Sequence, residues 1–114
     1  MFQIDRAVAI IKPKPPSLDW LMQLPDPPKN LTLDELRTDC TAILIPEFDY
    51  PDDSYAFVQK MSQQIFELEL DSWYRDRAWW PTKRDAQTFR AWFDVEIHSL
   101  VLDTLDRKIN TSKI

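Results

Sequence analysis

The only histidine of this 114-residue chain, His98, follows Asp94 and Glu96 at intervals of two residues. Side chains two apart on a β-strand project from the same face, about 7 Å from each other. Such a set can hold a metal ion or perform acid–base chemistry if other groups converge on it, and Glu47, which follows a second predicted strand, is a candidate fourth ligand. The alternative interpretation, which we favour, is that the three side chains form the solvated face of a strand.

The composition excludes several familiar chemistries. The chain has one histidine and one cysteine, whereas zinc sites usually draw three or four ligands from these two residue types. It also contains no glycine. The Walker A loop, the dinucleotide-binding fingerprint and the nucleophile elbow all need glycine at defining positions. We therefore expect no cofactor and no catalytic residues, and the sequence favours a non-enzymatic role.

Charge and hydropathy restrict the partners. The net charge is −5, whereas nucleic-acid binding depends on clustered positive charge, so nucleic acid is not an expected partner. No apolar run approaches the roughly 20 residues that span a bilayer, and no membrane contact is predicted. A single cysteine cannot form an internal disulfide, which is typical of cytoplasmic proteins.

The apolar pattern predicts three strands and one long helix. Residues 7–11 and 41–45 are short apolar runs rich in Val and Ile, each closed by proline, as buried strands are. Residues 52–78 place their apolar side chains on one wide arc at 100° per residue, which indicates an amphipathic helix. Residues 93–102 alternate with a period of two, which indicates a strand, although an extension of the preceding helix is the alternative.

These elements predict an α+β fold. About three strands form the sheet, and the helices, including the long helix at residues 52–78, pack on one of its faces. The length suits a single domain over residues 1–114, with residues 1–5 and 107–114 as frayed tails.

Two adjacent tryptophans suggest an interaction site. Trp79 and Trp80 precede a proline and are flanked by Arg77 and Arg84. Successive side chains on a helix point about 100° apart, so one core pocket cannot easily take both indoles. Tryptophan and arginine are enriched among the residues that anchor protein contacts. We therefore predict that these four residues contribute to a protein contact, the alternative being a tryptophan-rich core.

Longer segments carry a resemblance. The stretches TLDELRTD, LIPEF and WPTKRDAQTFRAWFDVEIHSLVLD, with the long acidic helix between them, resemble a group of small uncharacterised bacterial proteins, a domain of unknown function. The resemblance covers residues 12–106 and implies a bacterial, cytoplasmic, self-contained domain without implying an activity.

Two functions therefore stay open from the sequence. The first is a protein-interaction or adaptor domain, with a protein partner or a second copy of the chain. The alternative is a small-molecule- or metal-binding protein centred on Glu47, Asp94, Glu96 and His98, and this alternative includes an enzyme.

Overall fold

The computed structural model describes residues 1–114 and has an α+β fold, which confirms the predicted class. The strands are β1 (Phe2–Gln3), β2 (Ala7–Pro13), β3 (Thr41–Ile45), β4 (Phe93–His98) and β5 (Leu102–Asp103). The helices are α1 (Pro15–Met22), α2 (Leu33–Leu36), α3 (Pro51–Lys60), α4 (Ser62–Trp73) and α5 (Ala86–Trp92). None of these helices has the length and apolar character needed to cross a bilayer.

The larger sheet has the order β3–β2–β4, and both outer strands run antiparallel to β2. Because neighbouring residues of a strand point to opposite faces, the register decides which side chains meet. Ala9 lies between Ile43 and Ile97 on one face, here called the inner face. Ile10 pairs with Glu96 on the opposite, outer face.

Helices cover the inner face of this sheet. Side chains from the three strands and from α3, α4 and α5 form one core, together with Trp80, which follows a 3₁₀ turn. The core residues are Ala7, Ala9, Ile11, Ile45, Val58, Ile65, Phe66, Leu70, Trp80, Phe89 and Phe93. On the outer face, by contrast, Ala42, Leu44 and His98 are exposed. The sheet thus has one apolar face and one solvated face, as antiparallel sheets commonly do.

The prediction of one continuous helix over residues 52–78 is wrong in two respects, and the first is an interruption. Met61 separates α3 from α4, with φ −91° and ψ 2°, outside the helical region. Its N–H is shared between the carbonyls of Phe57 at 3.2 Å and Val58 at 3.1 Å. The two halves pack against different elements, because α3 contacts β3 and β4 whereas α4 contacts α5. The interruption at Met61 allows each of the two helices to pack against its own neighbours.

The second difference is that the helix ends at Trp73 and not near residue 78. Tyr74 adopts an extended conformation, with φ −154° and ψ 117°. Its carbonyl, released from the helix, accepts a hydrogen bond of 2.7 Å from the indole N–H of the buried Trp80. The sequence contains no stop signal before Pro81, and the early end leaves the Tyr74 carbonyl free to accept the bond from Trp80.

The strand predicted over residues 93–102 begins where expected but ends at His98. Beyond the pairing of Val8 with His98, strand β2 offers almost no further partner. The chain bends and pairing resumes where the N–H of Ile4 donates to the carbonyl of Val101 at 3.1 Å. Strands β1 and β5 then form a separate antiparallel pair. Residues 93–98 are therefore a strand and not an extension of α5.

The predicted tails differ from each other. Part of residues 1–5 is ordered as β1 against β5. Residues 107–114 have no helix or strand and are exposed.

Candidate functional site

The three side chains that first suggested a metal site lie on the outer face of the sheet. His98 and Glu96 are in direct contact, with 3.0 Å between Nε2 and Oε1. The other carboxylate oxygen of Glu96 accepts a hydrogen bond of 3.2 Å from Lys12. These bonds, first from Lys12 and then from His98, lower the pKa of Glu96. Glu96 therefore serves as the shared acceptor of two neighbouring strands.

Asp94 belongs to a different set of contacts. Its carboxylate lies 3.9 Å from Nζ of Lys14 and 3.5 Å from Nη1 of Arg37. Arg37 also donates to the carbonyl of Pro13 at 2.7 Å. Asp94 thereby anchors the segment after α2 to the end of the sheet and is not directed at His98.

Glu47 does not join these three residues. It lies beyond the end of β3 and lines a shallow depression with Ala7, Ser54 and Ile97. Ala7 and Ile97 belong to the inner-face set of alternating residues, whereas His98 is on the outer face. No group of three or more His, Cys, Asp or Glu side chains in the chain could hold a metal ion. The four residues of the metal alternative are thus not brought together.

The two adjacent tryptophans have different environments. We name Arg77, Trp79, Trp80 and Arg84 the aromatic corner. Trp80 is buried in the core, whereas Trp79 is 46% exposed. The ring of Trp79 packs edge-on against Tyr74, with 6.4 Å between centroids. The short 3₁₀ turn Arg77–Trp79 therefore turns one indole inward and presents the other to solvent.

The two arginines of the aromatic corner are held by one carboxylate. Nη2 of Arg77 and Nε of Arg84 each lie 3.3 Å from Oε1 of Glu67. Their guanidinium carbons lie 4.8 Å and 5.8 Å from the centroid of the Trp80 ring. Arg84 also donates to the carbonyl of Pro81 at 2.7 Å. These contacts hold Trp80, the residue that directly follows the exposed Trp79.

A cavity that the sequence did not predict adjoins the aromatic corner. It has a volume of about 280 Å³ and lies between α1, the α2–β3 segment and α4. Trp20, Trp73 and Trp92 line it. The indole N–H of Trp20 donates to the main-chain carbonyl of Trp79 at 2.8 Å, so Trp20 connects the cavity to the corner.

The polar lining of the cavity is acidic. Its polar side chains are Ser17, Asp39, Cys40, Thr41, Glu69 and Ser72. Burial raises the pKa of Glu69, and the Thr41 hydroxyl opposes that shift. Burial also raises the pKa of the Cys40 thiol, which disfavours the thiolate that nucleophilic chemistry would need.

One signal in the sequence could have located Glu69. It lies four residues after Ile65 and three after Phe66, so on a helix it shares their buried side. An ionisable residue at a core-facing position is a candidate for a functional site. Trp20 offered no comparable signal, because its role depends on a contact 59 residues away.

Comparison with known proteins gives no match to any family model, curated protein or solved structure. This agrees with the resemblance described above, which implied no activity for any residue.

Proposed function

We propose that this chain is a non-enzymatic protein-interaction domain whose contact surface is centred on Trp79 in the aromatic corner. The observation that carries the proposal is the half-exposed indole of Trp79, which packs on Tyr74 next to the buried Trp80. An aromatic side chain that is already ordered before binding loses little conformational freedom in the complex. Tryptophan is also the most frequent energetic anchor of protein interfaces.

The total exposed surface supports the same proposal. The chain exposes 8345 Å², whereas a compact monomer of this size exposes about 6,600 Å². Several large apolar side chains contribute to the difference; besides Trp79 they include Phe2, Leu44, Trp73 and Leu100. Part of the excess lies in residues 104–114, which are all exposed. A partner that covers some of this apolar area would gain hydrophobic stabilisation.

The partner is a protein, either a different chain or a second copy of this one, and nucleic acid is not part of the proposal. We place the domain in the bacterial cytoplasm, on the basis of the single cysteine and of the resemblance to small bacterial proteins. The alternative function at Glu47, Asp94, Glu96 and His98 is less favoured, because Glu47 lies apart from the other three. Asp94 and Glu96 are paired with Arg37 and Lys12, and His98 contacts Glu96.

The test is site-specific crosslinking at position 79. The substitution Trp79→benzoylphenylalanine places a photoreactive group at the centre of the proposed surface, and illumination in the native host should yield one dominant crosslinked protein. Mass in solution reports whether that protein is a second copy. In a separate pull-down without a crosslinker, Trp79→Ala should abolish co-purification of the same protein with this chain.

A matched control is Tyr55→Ala, which removes an aromatic side chain of similar exposure, 42%, from helix α3. Co-purification of the partner protein should be unchanged in Tyr55→Ala. If folded Trp79→Ala retains both the partner and the mass of the wild type, the aromatic corner has no interaction role.

A further inference from the structure

The walls of the cavity are rich in aromatic surface. Three of the chain's five tryptophans, Trp20, Trp73 and Trp92, line it, and the rings of Trp20 and Trp92 lie 6.2 Å apart between centroids. Indole rings attract cations through the negative potential above their faces, more strongly than other aromatic side chains do. Walls of this kind suit an organic cation better than an anion.

The charged side chains that line the cavity also favour a cation over an anion. Glu69 and Asp39 line it, neither forms an ion pair, and no lysine or arginine is part of the lining. Lys12 and Arg37, the two cations that act on Cys40, lie outside the lining and pair with Glu96 and Asp94 of strand β4. An unpaired, mostly buried carboxylate is unfavourable unless it is protonated or meets a cation.

We propose that the cavity is a binding site for an alkylammonium group, held between Trp20, Trp73 and Trp92 with Glu69 as its counter-ion. This site is separate from the protein contact at Trp79. The volume of about 280 Å³ is at the lower end for ligand pockets and suits a small ligand head group. The hydroxyls of Ser17 and Ser72 already donate to the carbonyls of Trp92 and Glu69, so towards the ligand they can act only as acceptors.

The protonation of the site follows from this assignment. Burial raises the pKa of Glu69, so an empty cavity shifts this carboxyl towards its protonated form. An ammonium ion stabilises the carboxylate, so over the pH range in which Glu69 titrates, binding is coupled to proton release and becomes tighter as the pH rises. The other titratable groups that face the cavity are Asp39 and Cys40; α1, α5 and β4 contribute none.

The first test uses choline and its uncharged analogue in which carbon replaces nitrogen. The indole N–H resonances are followed by NMR and assigned from single Trp→Phe variants. Choline should shift the resonances of Trp20 and Trp92 saturably, and the uncharged analogue should bind at least about tenfold more weakly. Equal binding of the two compounds, or no saturation with choline, would overturn the proposal.

Two variants separate the counter-ion from the fold. Glu69→Gln keeps the shape of the side chain and should weaken choline binding about tenfold. Glu47→Gln, which removes a carboxylate outside the cavity, should leave the affinity unchanged. If Glu69→Gln binds choline as tightly as the wild type, Glu69 is not the counter-ion and the proposal is wrong.

The source of the ammonium group is decided by a second titration. A short peptide that carries trimethyl-lysine is compared with the same peptide carrying unmodified lysine, and with free choline. Tighter binding of a peptide assigns the site to a protein side chain, and tighter binding of choline assigns it to a small molecule. Either result supports an ammonium site, whereas binding of none of the three contradicts it.

Discussion

The indole of Trp20 and the main chain of Trp79 are joined by a hydrogen bond of 2.8 Å across 59 residues of sequence. This bond fastens helix α1 to the 3₁₀ turn of the aromatic corner. On one side of it lies the cavity, and on the other side lies the exposed indole of Trp79. The position of both candidate sites therefore depends on one side chain.

Trp20→Phe should lower the free energy of unfolding by about 1 to 2 kcal/mol, because it removes the N–H donor and part of a partly buried ring. Trp79→Phe is the matched control. The bond uses the carbonyl of residue 79 and not its indole, so this second change should cost less than about 0.5 kcal/mol. Urea denaturation measures both values, and equal losses in the two variants would show that the bond contributes nothing.

Glu67 connects the two arginines of the aromatic corner, and its removal should loosen that corner. Glu67→Gln should destabilise the fold by about 1 to 2 kcal/mol, since the side chains of Glu67 and Arg84 are 28% and 23% exposed. The effect should diminish at high salt, because screening weakens partly exposed charge pairs.

A control for Glu67→Gln is Asp5→Asn, which breaks a more exposed pair with Arg6. That change should have almost no effect on the urea midpoint. A Glu67→Gln variant as stable as the wild type would mean that the cation–π contacts and the bond from Arg84 to the Pro81 carbonyl hold the corner without Glu67.

Strands β2, β3 and β4 were predictable because their signals are local, whereas the short pair β1–β5 was not predicted. The run 41–45 is apolar and ends at Pro46, and the structure has β3 at Thr41–Ile45. The alternation of residues 93–98 likewise specified which side chains face the helices. Its end at His98 was not predictable, since it depends on where the partner strand β2 begins.

The cavity was not predictable, because its lining comes from segments distant in sequence. Trp20, Glu69 and Trp92 lie on three different helices and Cys40 lies in the loop before β3, and no spacing rule connects them. The separate environments of Trp79 and Trp80 could be anticipated from helix geometry. Which of the two would be buried depended on the carbonyl of Tyr74, and that carbonyl became available only because the helix ended early.

Because of Glu96, the free energy of unfolding should fall as the pH is lowered into the acid range. Its pKa lies below the usual 4.5, first because Lys12 and then because His98 donates to the carboxylate. A carboxylate whose pKa is lower in the folded than in the unfolded state contributes stability above the unfolded value. That contribution is lost as the pH falls below 4.5 and passes through the folded value.

The measurement compares Glu96→Gln with the wild type by urea denaturation across this range. The variant should be less stable near neutral pH, and the difference should narrow in acid. A difference that stays constant with pH would show that Glu96 acts through packing and not through its charge.

Glu69 should give the opposite dependence, and the comparison with Glu96 makes the test specific. Burial raises the pKa of Glu69 above the usual 4.5, so the folded state holds its proton more tightly than the unfolded state does. By linkage, the ionised carboxylate destabilises the fold at high pH. This destabilisation diminishes as the pH falls through the raised value and is absent below 4.5.

Glu69→Gln removes the charge and keeps the shape, so in the absence of any amine it should be more stable than the wild type near neutral pH. The gain should vanish in acid, where both side chains are uncharged. Denaturation midpoints at several pH values, measured beside those of Glu96→Gln, provide the check. If Glu69→Gln were instead destabilising at neutral pH, the carboxylate would already be satisfied within the chain, and the cavity would have no need of a cation.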